Sequence, residues 1–253
     1  MFHRLKVSQL KDELRARGLR VNGNKGELLE RLESYQDGGN KRPLVDVEHE
    51  RKRQRIESEA EVSLSCMFDR YCKEEECIGM EGVLSLCEDI RVSPEDPVMI
   101  VISWFCEANQ LGEFSRTEFK LGMGKIGCCS VEELGMKVDQ LRKYITVPGA
   151  DWEDIYKFAY GWACEPSQKS ISKEAALGLW PIFLEPLGFS VLDVFLRFVG
   201  KTGARGITKD TWVQTLAFVK YFKRNGNTLA DDMENAWPVL IDDFIEFYNK
   251  QGI

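Results

Sequence analysis

The side chains able to do chemistry are unevenly placed along this chain. All eight cysteines (Cys66, Cys72, Cys77, Cys87, Cys106, Cys128, Cys129 and Cys164) lie after residue 60, and the two histidines, His3 and His49, lie before it. No pair has the Cys-x-x-Cys spacing of a zinc knuckle or a redox couple. A zinc site in the larger part would need mostly thiolate ligands. A nucleophile there would have no histidine to activate it. Cys87, after Leu84 and Leu86, falls in an apolar helical pattern, as reduced core cysteines do. No glycine-rich phosphate loop of the usual forms is present. Carboxylates are plentiful, but their spacing favours no catalytic pair over a solvated face. The expectation is a non-enzyme without a cofactor.

One stretch comes near to metal-binding spacing. Glu107, Asn109, Ser115 and Glu118 fall at positions 1, 3, 9 and 12 of a calcium loop, with Gly112 at position 6. Position 1 should be Asp, and Leu111 at position 5 offers no oxygen. Three other loops fit worse: positions 1 and 12 are Tyr71 and Gly82, Cys164 and Ala175, or Gly200 and Thr211. The reading is helix–loop–helix units that hold no metal.

These loops belong to an internal repeat. Ile78-Gly79-Met80-Glu81 and Phe114-Ser115-Arg116-Thr117 lie 36 residues apart, and so do Ile171-Ser172-Lys173-Glu174 and Ile207-Thr208-Lys209-Asp210. Each is an extended residue followed by a helix start, so each pair predicts two helix–loop–helix arms whose extended residues meet. Trp212, Leu216 and Val219 form the inner side of a helix from about Thr208, with Asp210 in its first turn, where a carboxylate suits the helix dipole. Trp237, Leu240, Ile241, Phe244 and Phe247 give the last helix one broad apolar face. Most of the six tryptophans read as core, and one or two lining a groove would suit an inserted peptide.

The chain as a whole is an all-α protein in three parts. Residues 1–35 form two short helices: Ser8 caps one that stops at Gly18, and Asn24 with Glu27 has capping-box spacing before the other. Residues 36–60, with Gly38, Gly39 and Pro43, read as a flexible linker. Its clusters, Lys41-Arg42 and Arg51-Lys52-Arg53-Gln54-Arg55, are nuclear import signals or solvated helix faces, and the flexible context favours import. Residues 61–248 form the helical domain. Among 253 residues, 43% hydrophobic and 30% charged composition excludes a disordered or collagen-like chain. No apolar run reaches the roughly 20 residues of a membrane span, and residues 1–6 lack a secretory leader's apolar stretch, so a soluble intracellular protein is expected. Residues 1–56 carry a net +5 and the remainder −12. The basic head could approach nucleic acid, and the acidic body could attract a basic protein.

Residues 61–248 resemble the potentiating-neddylation domain of the defective-in-cullin-neddylation family. The resemblance rests on Glu113-Phe114-Ser115-Arg116-Thr117-Glu118-Phe119, Met123-Gly124-Lys125-Ile126-Gly127-Cys128 and Phe158-Ala159-Tyr160, on Thr208-Lys209-Asp210-Thr211-Trp212, and above all on Ala236-Trp237-Pro238-Val239-Leu240-Ile241-Asp242-Asp243-Phe244. It implies metal-free EF-hand-like units and a scaffold for transfer of the ubiquitin-like modifier Nedd to a cullin. The partners it implies are the cullin winged-helix region and the N-terminally acetylated tail of the Nedd-conjugating enzyme. The family's cullin-binding patch lands on Asp210, Ala236 and Asp242. Its tail pocket lands near Val98, Val101, Phe105 and Phe114, and near Trp162, Leu179 and Ile182. Each pocket residue also fits an ordinary core position. Trp162 replaces a smaller aromatic, and Leu111-Gly112 adds one residue to the usual pattern.

Residues 2–35 resemble a SAP domain, through Leu5-x-Val7-x-x-Leu10, Leu14, Arg17-Gly18-Leu19, Gly23-x-Lys25-x-x-Leu28 and Leu32. This resemblance implies weak, salt-dependent DNA binding, with Lys11, Arg15, Arg20, Lys25 and Arg31 on phosphates and Gly23-Asn24 offering backbone N–H groups. Together the two resemblances imply a nuclear, DNA-tethered scaffold for cullin neddylation. The alternative is a DNA- or RNA-binding adaptor whose helical domain binds another protein without neddylation activity.

Overall fold

The computed structural model describes residues 2–36, 44–73, 76–225 and 236–251. The chain divides into two compact units, Met1–Glu59 and Ala60–Ile253.

In the smaller unit, a 3-10 turn at Phe2–Arg4 precedes helices α1 (Val7–Ala16) and α2 (Lys25–Gln36). Leu10 and Leu14 of α1 close on Leu28 and Leu32 of α2, and all four are fully buried beside Phe2. The start of α1 differs from expectation. Lys6 is its N-cap, and the Gln9 side chain accepts from the Lys6 N–H at 3.0 Å, so Ser8 lies inside the helix. Gly18 does end α1: at φ +68 it lets the Leu19 N–H reach back to the Leu14 carbonyl at 2.8 Å. The Asn24–Glu27 capping box starts α2, with bonds of 2.9 and 3.1 Å running both ways.

The flexible linker expected at 36–60 is corrected by helix α3, which spans Leu44–Tyr71. Pro43 breaks only what precedes it, because a proline is tolerated at a helix start. From Leu44 to Tyr71 there is neither Gly nor Pro, and Glu and Arg favour helix. Arg55 pairs with Glu59 one turn on, at 2.9 Å. Lys41 and Arg42 lie outside the described residues, while Lys52 and Arg55 are exposed.

The larger unit carries two helix pairs, each closed by a two-stranded antiparallel ribbon. In the first, β1 (Cys77–Ile78) leads into α4 (Met80–Asp89), and β2 (Phe114–Ser115) follows α5 (Val98–Cys106) and leads into α6 (Arg116–Ile126). Ile78 pairs with Phe114. After α7 (Val131–Thr146) and α8 (Trp152–Trp162) comes the second pair. There β3 (Ser170–Ser172) leads into α9 (Lys173–Leu184), and β4 (Gly206–Thr208) follows α10 (Leu192–Lys201) and leads into α11 (Lys209–Arg224). Ile171 pairs with Ile207, so both pairings are those the 36-residue spacing predicts. Ser115, Ser172 and Thr208 each accept a hydrogen bond from the N–H three residues on, the same start made three times.

One core runs through both halves. At the α5–α6 crossing a Cβ on Gly122 would lie 2.2 Å from Cys106 Sγ, so only glycine permits this approach. In the second half, Tyr156 stacks on Trp212 at 4.5 Å and Trp180 on Trp212 at 5.6 Å. The Trp212 indole donates to the Tyr156 carbonyl, and the Tyr156 hydroxyl to the Trp212 carbonyl, at 2.9 and 2.7 Å. Helix α12 (Val239–Gln251) buries Ile241 and Phe244, and Phe244 meets Phe195 and Phe218.

Candidate functional site

The near-calcium loop is occupied by its own hydrogen bonds. Glu118 accepts from the backbone N–H of Asn109 and Ser115, at 3.0 and 2.8 Å, and from the Asn109 amide at 2.6 Å. Partial burial opposes its ionisation, but these donors outweigh burial and hold its carboxyl below the usual carboxylate range. Glu107 pairs with Lys125 at 2.5 Å instead of turning to the loop. Among the described residues no three His, Cys, Asp or Glu side chains gather as a metal site would require.

A cleft of about 920 Å³ opens where the ends of α5, α6 and α8 meet the start of α11. Trp104 and Phe105, in edge contact at 4.9 Å, give one wall, and Phe158 stacked on Trp162 at 6.4 Å gives the other. Trp162 is only 9% exposed, and its indole N–H has no acceptor among the described residues. Tyr160 turns its hydroxyl inward to the carbonyls of Lys169 and Ile207, both at 3.2 Å, and so fixes the ribbon to α8. The rim carries Lys125, Lys157, Lys169 and Lys209.

The seven expected pocket residues are not brought together as one lining. Phe105 and Trp162 line the cleft. Val98 and Val101, on α5, and Phe114, in β2, are buried core that stands behind it. Leu179 is nearly buried and Ile182 half-buried on α9, away from the cleft lining. Trp104, Phe158 and the four lysines were missed by sequence reasoning. The repeat held a signal for two of them, since Lys169 precedes the third repeat segment and Lys209 lies inside the fourth.

Asp210 and Asp242 are both exposed, in the first turns of α11 and α12, with no described ion-pair partner. Ala236 is exposed just ahead of Trp237, which packs on Phe218 and Tyr221 of α11 at 5.7 and 5.9 Å. Asp210 precedes Phe218 by eight residues, about 12 Å along the helix axis. Ala236 and Asp242 therefore lie toward one end of α11 and Asp210 toward the other, so a partner touching all three must be elongated. Exposed Val213 and Val239 add apolar surface to the same two helices.

In the smaller unit Lys25 and Arg20 are exposed, Lys11 is half-buried, and Arg15 pairs with Asp12 at 2.9 Å. Arg31 serves the fold, since its guanidinium donates to the Arg20 and Asn22 carbonyls at 2.6 and 3.0 Å and fixes the loop between the helices. The Asn24 N–H expected to face phosphate is taken by Glu27.

The family model described as "Cullin binding" matches residues 133–247, and the one described as "SAP domain" matches residues 1–37. DCN1-like protein 4 of Danio rerio is 34% identical over 205 residues, covering 77% of this chain and 69% of the relative. DCN1-like protein 4 of Homo sapiens is 32% identical, covering 78% and 67%. DCN1-like protein 5 of Bos taurus is 30% identical, covering 72% and 75%.

The chain belongs to the DCN1-like, defective-in-cullin-neddylation family. It joins the DCN1-like domain to a SAP domain at its N-terminal end. All three positions of the expected DCN1-like carboxylate patch fall within or beside α11 and α12, inside the matched residues 133–247. The aromatic and lysine residues of the cleft, by contrast, come from both sides of that boundary, with Trp104 and Lys125 before it.

Proposed function

We propose that this chain is a non-catalytic, E3-like scaffold that promotes transfer of Nedd from its conjugating enzyme to a cullin. The carrying observation is the pair of exposed carboxylates, Asp210 and Asp242, that no described cation neutralises. In a unit with net charge −12 after residue 56, they suit basic side chains of the cullin winged-helix region, and Ala236 between them leaves room for close approach. The N-terminally acetylated tail of the conjugating enzyme enters the aromatic cleft at Phe105 and Trp162, backed by Val98, Val101 and Phe114; Leu179 and Ile182 act from α9. Acetylation removes the terminal charge and so lowers the cost of burying the first residue. The scaffold's contribution is proximity and orientation, while the thioester and the attacking lysine belong to its partners.

The ribbon-joined helix pairs are EF-hand-like units that use internal hydrogen bonds in place of metal. The functional parts are residues 1–35, the basic segment 36–60 and residues 61–248. Lys11, Arg15, Arg20 and Lys25 place the SAP domain on DNA phosphates, which favours a nuclear location.

The test is Asp242→Arg in a purified neddylation system. Loss of a desolvated charge pair costs about 2–5 kcal/mol, so cullin affinity should fall at least about 30-fold. Acceleration of cullin modification should go with it, while the thermal melt stays unchanged because Asp242 is exposed. Unchanged cullin affinity would remove the patch assignment. No acceleration by the unaltered chain with any cullin would favour the adaptor reading.

A further inference from the structure

The cleft's rim runs against the charge of the unit that carries it. The chain after residue 56 has net charge −12, yet the cleft is lined by four lysines and one glutamate. Two lysines are matched: Lys125 by Glu107 at 2.5 Å and Lys157 by Asp154 at 3.6 Å. Lys169 and Lys209 have no carboxylate partner among the described residues. They are also neighbours. Ser170 pairs with Thr208, so one further step of the same antiparallel register sets Lys169 opposite Lys209. Like charges directly opposite each other repel, and a purely structural ribbon end would not favour them. The other ribbon shows the ordinary solution: the same step beyond Cys77–Ser115 sets Glu76 opposite Arg116. Beside the lysine pair stands a buried indole N–H, that of Trp162, with no acceptor of its own.

We infer that Lys169 and Lys209 make this cleft selective for a peptide that carries carboxylate side chains next to an apolar anchor. The inference rests on reading the cleft as the tail site. The aromatic walls take the anchor, the Trp162 N–H takes a carbonyl of the guest, and the two ammonium groups take its carboxylates. The same rim repels a protonated α-amine, which reinforces the preference for an acylated N-terminus.

The full-length protein is titrated with three N-acetylated peptides sharing an apolar first residue, with two glutamates, two glutamines or two lysines among the residues that follow. The glutamate peptide should bind about ten-fold more tightly than the lysine peptide, and added salt should narrow the gap. The K169E/K209E variant should invert the order, a compensation that a merely structural role for these lysines would not produce. Both side chains are exposed, and a thermal melt checks that the variant folds. Equal affinity for all three peptides, a preference for lysine, or an unchanged order in the variant would overturn the inference and leave the tail site standing. If no peptide binds, the glutamine one included, the tail-site reading falls and the inference falls with it.

Discussion

At the start of α6, the Glu118 carboxylate is saturated by Ser115 and Asn109; at the matching position of α11, Thr211 offers only a hydroxyl, 3.0 Å from that of Thr208. The ribbon ends differ in the same sense. The first sets Glu76 across from Arg116, and the second sets Lys169 across from Lys209. The cores differ too. The first pair closes through the bare backbone of Gly122, and the second through a stack of Tyr156, Trp212 and Trp180. The first pair satisfies its polar groups within itself, whereas the second leaves Asp210, Lys169 and Lys209 to solvent. A repeat that keeps its local geometry while one copy stops neutralising its own charges points to the copy that meets partners.

Breaking the aromatic stack should have the largest effect. Trp212→Ala removes a fully buried side chain and two reciprocal hydrogen bonds, so it should destabilise the protein by about 3–5 kcal/mol in urea unfolding. A loss below 1 kcal/mol would mean that the stack is not the centre of the second half. Gly122→Val tests the other closure. Its side chain must displace Cys106, so a loss of about 1–3 kcal/mol is expected; an unaltered midpoint would show that α5 and α6 can separate freely.

Glu118 sharpens the comparison through pH. Its folded-state pKa lies below the unfolded value of about 4.3. The stability it contributes is therefore present above that value and is lost as pH falls through the folded-state pKa. Thermal melts taken from pH 6 down to pH 3 should fall more steeply for the unaltered protein than for Glu118→Gln. Parallel curves would deny the carboxylate this role. The smallest expected effect is that of calcium, which should leave the melt unmoved at millimolar concentration because Glu118 and Glu107 are already engaged. A calcium-dependent rise of several degrees would reopen the loop as a metal site.

What was legible in the sequence was local and periodic. The 36-residue spacing gave the partners Ile78–Phe114 and Ile171–Ile207, and Ser or Thr three residues before an N–H gave the caps. Asp210, Ala236 and Asp242 were found through a resemblance, and their spacing alone matched a helix-dipole explanation equally well. The cleft was only partly legible. Val98, Val101 and Phe114 have the same apolar character as Phe105 and Trp162, and hydropathy does not say which apolar residues face outward. The lysine pair needs both a ribbon register and a cleft to become visible. The linker reading failed from Leu44 onward because Gly38, Gly39 and Pro43 mark where a break ends as readily as where it continues.

Two other lysines are fastened down. Lys137 donates to the carbonyls of Ile126 and Gly127 at 2.6 and 2.7 Å, and Lys173 to those of Gly200 and Thr202 at 3.3 and 3.1 Å. Each closes the last turn of a neighbouring helix, where a cation also suits the helix dipole. The molecule therefore carries a built-in chemical footprint. An amine-directed acylating label should mark Lys169 and Lys209 early and Lys137 and Lys173 late, and a guest that covers the rim should slow only the first two.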